Sequence, residues 1–222
     1  GGSSSSGSSG SSSSSYGGSN GRYNSTAQGF SPVGVMIFGV YMAIFFFKKN
    51  GKHIIAINNR KRQTLSEIKN FEIDNPLWEF YSIEEQIEEA FFIIQKAWMN
   101  RDYSKAKEFM SYDLYDIHNM KVSWMKIRGE KNILKNIKIL SIKPIKAISS
   151  TNGSTNKLWV SIRAKMIDYT INENTKMVKS GNTMKSDAFE EYWRFILKDN
   201  RWVADKIMQT DEVDLDYFDK LK

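Results

Sequence analysis

The chain has 222 residues with 32 Lys/Arg against 25 Asp/Glu, a net charge of +7, and no cysteine, which excludes a disulfide scaffold, a thiolate nucleophile and a cysteine zinc site. The surplus is uneven: residues 1–73 hold 8 Lys/Arg and 2 Asp/Glu, whereas residues 74–222 hold 24 and 23. A nucleic-acid-binding domain would carry its basic surplus on the folded part, so no nucleic-acid partner is expected.

The first twenty residues contain 12 Ser and 6 Gly and have too little apolar surface to offset chain entropy. Residues 1–28 are expected to be a disordered extracytoplasmic tether. The chain opens on Gly rather than Met, and removal of a leader is the expectation. An uncharged run follows from Gly29 to Phe47, opened by Ser31-Pro32 as N-cap and first-turn proline and closed by Lys48 and Lys49. At about 1.5 Å per residue Pro32 to Phe47 covers roughly 24 Å, which snorkelling lysines can extend toward the hydrocarbon thickness. Residues 29–49 therefore read as a transmembrane helix. Only Arg22 is charged before it, while Lys48, Lys49, Lys52, Arg60, Lys61 and Arg62 follow, so the C-terminal part is expected on the cytoplasmic side. Residues 50–73 read as a basic juxtamembrane linker lying on anionic lipid headgroups, with those six residues as contacts.

Residues 74–210 have the composition of one globular domain. Ser82-Ile83-Glu84-Glu85 resembles a capping box, and Ile83, Ile87, Ala90, Phe91, Ile94 and Trp98 form the apolar stripe of a helix running to about Met99. Asp102 can cap a short second helix burying Ala106, Phe109 and Met110. Ser111 can cap a third, with Leu114, Ile117, Trp124 and Ile127 as its apolar positions and Gly129 as its stop. The period then changes to two. Ile137, Ile139 and Ile142 before Pro144 suggest an edge or bulged strand; Leu158 to Met166, Ala188 to Leu197 and Trp202 to Met208 suggest three more, the last two joined by a turn at Asp199-Asn200. The prediction is an α+β domain: three N-terminal helices packed on a curved antiparallel sheet. Residues 211–222 read as a solubilising acidic tail.

Several short stretches, in this order, resemble one family. They are Phe92-Ile93-Ile94-Gln95-Lys96-Ala97-Trp98 with Arg101-Asp102, Met110-Ser111-Tyr112-Asp113-Leu114-Tyr115, Gly129-Glu130-Lys131-Asn132, Asp168-Tyr169, and Tyr192-Trp193-Arg194-Phe195 before Arg201-Trp202. Together they are similar to the C-terminal domain of the mitochondrial inner-membrane translocase subunit forty-four, and in particular to its bacterial members. The resemblance implies a nuclear-transport-factor-2-like cone with an apolar pocket and residence at a membrane. Tethering of an import motor does not carry over, because nothing here matches the chaperone-binding region.

For the pocket the candidates are Phe91, Ile94, Trp98, Trp124, Tyr169, Tyr192 and Trp193, with core packing as the ordinary alternative for each aromatic. Lys131, Lys135 and Lys138 are a second set of membrane-contact candidates. Asp168, Tyr169, Glu191 and Tyr192 are the one set that could perform acid–base chemistry. No metalloprotease, phosphate-loop or serine-hydrolase motif accompanies them, so no cofactor is expected and the chain reads as a non-enzymatic adaptor for anionic membrane lipid or an unidentified protein. The alternative is a ligand carrier or small-molecule enzyme using the same cone.

Overall fold

The computed structural model describes residues 51–150 and 156–221. The tether and span expected over 1–28 and 29–49 lie outside them, as do Lys48 and Lys49. Among the described residues no helix is long and apolar enough to cross a membrane. Three helices, α1 (Gly51–Asp74), α2 (Phe80–Asn100) and α3 (Tyr112–Ile127), precede five strands: β1 (Glu130–Ile148), β2 (Lys157–Asn172), β3 (Val178–Gly181), β4 (Asp187–Lys198) and β5 (Arg201–Gln209). The strands pair antiparallel in the order β1-β2-β4-β5, with β3 on the far end of β2.

Local chemistry sets these boundaries. Glu79, rather than Ser82, caps α2 by accepting from the backbone N–H groups of Tyr81 and Ser82 at 2.9 and 2.6 Å, so the helix starts two residues before the expected box. Ser111 caps α3 through its hydroxyl as expected, and Gly129 leaves the helix at φ 60° straight into β1. Asn136 at φ 54° and register shifts at Lys135/Lys138 and Pro144/Lys146 are bulges that bend β1, an edge strand where a proline is tolerated. Asp199 and Asn200, at φ 50° and 62°, turn β4 into β5 as their residue types suggest.

The sheet has an inner face toward α2 and α3 and an outer face, and each carries a core. Inward, Ile83, Ile87, Phe91 and Ile94 of α2 pack on Val160, Ile162, Trp193 and Phe195. Outward, Ile57, Ile145, Trp159, Tyr192, Met208 and Phe218 form a second cluster. That second cluster corrects two expectations. The segment read as a basic linker is α1, which buries Ile57, Thr64 and Ile68 on one stripe; its Arg60 makes a two-bond pair with Asp219 at 2.9 and 2.8 Å instead of standing free for headgroups. The segment read as a solubilising tail contains a short helix, Leu215–Lys220, whose Phe218 is fully buried against Trp159 and Tyr192. Both segments belong to the domain.

A truncation follows from this packing. Phe71, in the last turn of α1, meets Trp78 at 5.1 Å, and Trp78 meets Trp202 at 4.8 Å. A fragment starting at Asp74 removes the buried Ile57 and Ile68, at about 1.5–3 kcal/mol each, and the partly buried Phe71. It is expected to melt well below a fragment starting at Gly51; equal melting temperatures would show that α1 contributes nothing.

Candidate functional site

Between α2, α3 and the inner face of the sheet lies a cavity of about 540 Å³. Ile94 and Trp98 come from α2, Leu114 and Met125 from α3, and Leu134, Met166, Phe189, Trp193 and Ile207 from the strands. Strand alternation delivers the last group: residues two apart on β4 share a face, so Phe189, Glu191 and Trp193 all point inward while Tyr192 points out.

The polar part of the wall is made of three hydrogen-bonded groups. Trp98 Nε1 donates to Asn132 Oδ1 at 3.2 Å, and Asn132 Nδ2 donates to Asp168 Oδ1 at 2.7 Å. Glu191 accepts from Trp193 Nε1 at 2.9 Å and from Gln209 Nε2 at 2.8 Å. Burial pushes both carboxyls above the usual carboxylate range; the bond from Asn132 opposes this at Asp168, and the bonds from Gln209 and Trp193 oppose it at Glu191. The charges of Asp168 and Glu212 push Glu191 further up. On the helical side Tyr103 OH and His118 Nδ1 are bonded at 2.8 Å, and burial, with the Lys121 charge added, holds His118 down to about 3. Lys121 is also lowered by burial, against the pull of Glu212. Among the described residues no group of three metal-ligating side chains is close enough to hold a metal ion.

Of the expected pocket residues, Ile94, Trp98 and Trp193 lie on this wall. Phe91 sits behind it, fully buried against Trp193 at 5.5 Å. Tyr192 belongs to the outer core, and Tyr169 lies on the outer side of β2 beneath Lys135 Nζ at 5.4 Å. The acid–base set is thereby split: both carboxyls face the cavity and both tyrosines face away. Trp124 is not a pocket residue but a half-exposed one on the far side of α3, because α3 carries two apolar stripes. Leu114, His118, Val122 and Met125 face inward; Met120, Trp124 and Ile127 face out, and Ile117, half-exposed, lies between the two stripes and also lines the cavity. Asn132, Tyr103, His118 and Gln209 were not anticipated. His118 could have been found, since it completes the four-residue spacing from Leu114 to Val122.

The basic candidates occupy other surfaces. Lys52 and Arg62 are exposed on α1, and Lys61 is half-buried near Glu84, whose carboxyl its charge pulls down against burial. Lys131 and Lys135 alternate with Asn132 and Leu134, which face the cavity, so they project from the outer face; Lys138 lies there too, paired across from Lys165.

The model of one family, the Tim44-like domain, matches residues 62–205. A solved structure, the intermembrane space region of the chloroplast protein ARC6, aligns at 7% identity over 55% of this chain and 96% of its own, with a TM-score of 0.34, a likeness too loose to compare sites. No curated protein matches. The family match runs from the middle of α1 to the middle of β5 and spans more than half of the chain, including α2, α3 and β1 to β4, and on that extent the chain belongs to the Tim44-like domain family.

Proposed function

We propose that this chain is a single-pass, membrane-tethered binding domain, with its span at residues 29–49, its N-terminus outside the cell and its folded part at the cytoplasmic face. It acts as an adaptor for a protein partner or for lipid, and not as an enzyme. The observation that carries the binding role is the outer stripe of α3, where Met120, Trp124 and Ile127 are 54, 47 and 73% exposed and Ile117, 46% exposed, continues the stripe to the rim of the cavity. Spaced three and four apart, they share one helix face, and large apolar groups gathered in the open mark interaction sites. The family resemblance, which implies residence at a membrane, supports the same reading. Lys131, Lys135, Lys138 and Lys165 on the outer sheet face supply a surface for anionic headgroups, at about 1 kcal/mol per residue. A non-enzymatic role is supported by the separation of Tyr169 and Tyr192 from the cavity carboxyls and by the engagement of His118 with Tyr103. The second reading, a ligand carrier or acid–base enzyme, is favoured by Asp168 and Glu191 on one apolar cavity.

Two measurements test the proposal. A photo-crosslinking residue at Met120 of the full chain in intact membranes should yield protein or lipid adducts that Trp124→Glu removes; yields no higher than from exposed Lys105 would sink the adaptor reading. For orientation, a cysteine placed at Ser12 should react with an impermeant reagent on intact cells while one at Ser154 should not. The reverse pattern would overturn the topology.

A further inference from the structure

Two carboxyls on the cavity wall have no counter-charge. Asp168 is held by the Asn132 amide, and Glu191 by the Gln209 amide and the Trp193 indole; neither forms an ion pair among the described residues. Glu190, one residue along on the opposite face, instead has the His53 imidazole as a hydrogen-bond partner at 3.2 Å. The two lysines on the wall, Lys121 and Lys206, bond to neither carboxyl. Beside Glu191 the side-chain carbonyl of Gln209 is buried without a hydrogen-bond partner. Glu191 and the Gln209 carbonyl thus stand side by side, with Asp168 on the same wall within electrostatic reach of Glu191, and the donors that reach the three are neutral amides and one indole. A buried carboxylate in such a place either takes up a proton or waits for a cation. Trp98, Trp193, Phe189 and Tyr103 add aromatic rings to the same wall, whose faces attract positive charge. The volume is that of a small-molecule site.

We infer that the cavity binds an organic cation, an amine or quaternary ammonium carried on an apolar body, with its charged end against Asp168, Glu191 and the Gln209 carbonyl. The apolar body lies along Ile94, Leu114 and Met166. An amphiphile with an acidic head meets like charge or a protonated acid at the same place and gains no ion pair with either carboxyl; only Lys121 and Lys206 on the wall could pair with it, and a preference for an acid would report that pairing. Burial favours the protonated form of both carboxyls, which offsets the cost of two uncompensated charges when no cation is bound. The assignment does not depend on the membrane tether or on the outer stripe of α3.

The test compares three ligands of one shape: 4-phenylbutylamine, 4-phenylbutanol and 4-phenylbutyrate. They are titrated by ligand-observed NMR onto the full chain in nanodiscs of digalactosyldiacylglycerol, a lipid with neither charge nor amine, with empty discs subtracted. The amine should bind at least about tenfold more tightly than the alcohol, the margin of one good charge-assisted contact, and the acid most weakly. In the double variant Asp168→Asn, Glu191→Gln the amine should fall to the level of the alcohol while the alcohol is unchanged. A thermal melt establishes that this variant is folded; if it is not, Asp168→Asn alone must reduce the amine preference severalfold. Absence of amine binding, equal binding of all three, preference for the acid, or an amine preference that survives in the folded variant overturns the inference.

Discussion

Trp202→Ala is expected to lower the unfolding free energy by about 3–5 kcal/mol, the range for deleting a large aromatic from a packed core. Trp202 is 1% exposed and meets Trp78 edge-on at 4.8 Å. Its indole Nε1 donates to the Leu77 carbonyl at 2.9 Å, and its backbone N–H donates to Gln86 Oε1 at 2.9 Å. One side chain thus joins β5 to the short helix between α1 and α2. Truncation leaves a void in which Trp78 loses its partner ring and the Leu77 carbonyl loses its donor. Trp202→Phe keeps most of the ring and should recover well over half of the loss. Trp124→Ala is the control: this tryptophan is half-exposed on α3, and its removal should change stability by less than about 0.5 kcal/mol. Urea midpoints decide the matter, and equal losses at positions 124 and 202 would contradict the placement of both.

That contrast shows where sequence reading succeeds on this chain and where it stops. Ile83, Ile87, Phe91 and Ile94 share a helix face that any helical period reveals, and Phe189, Glu191 and Trp193 share a strand face that alternation reveals. Those two periods placed Ile94, Trp193 and the carboxylate of Glu191 correctly relative to the sheet. On α3 the same rule admits two adjacent stripes, and the larger side chains of the outer one made it the more attractive core. Only the position of the sheet decides between them. In α1 the three buried positions Ile57, Thr64 and Ile68 are sparse and surrounded by Lys52, Arg60, Lys61 and Arg62, so charge obscured a genuine packing face. Phe218 was hidden in the same way among Asp214, Asp216 and Asp219. Long-range pairs such as Arg60 with Asp219, and Gln209 with Glu191, have no local signature at all.

Acid is expected to weaken the fold through His118. Its ordinary pKa is 6.5 and burial holds it down to about 3, so between those values the unfolded chain takes up a proton that the folded one refuses. Stability contributed by the neutral ring is complete above pH 6.5 and declines as pH falls toward 3. Each pKa unit is worth about 1.4 kcal/mol, so the loss reaches several kcal/mol at the acid end of that window. Asp168 and Glu191 act in the opposite direction, because their folded values lie above the ordinary carboxylate range. Between those raised folded values and their ordinary values of 3.8 and 4.5 they hold protons that the unfolded chain has released, so the cost they impose at higher pH shrinks as pH falls through that window and is gone below the ordinary values. The observed slope is therefore a difference, and variants separate its parts. Tyr103→Phe with His118→Leu removes the histidine without leaving the Tyr103 hydroxyl unbonded, and should flatten the acid loss below pH 6.5. Glu191→Gln keeps an acceptor for Trp193 and puts an amide NH2 group in place of the oxygen that Gln209 Nε2 now bonds; a turnover of the Gln209 amide presents its unpartnered carbonyl to that new donor, so the variant should raise stability at pH 7.5 and steepen the fall toward pH 4. Urea midpoints from pH 8 to pH 4 report all three chains. A double variant as acid-sensitive as the parent would show that the buried histidine does not control the loss, and a Glu191→Gln variant less stable at pH 7.5 would show that the native carboxyl is charged and compensated there.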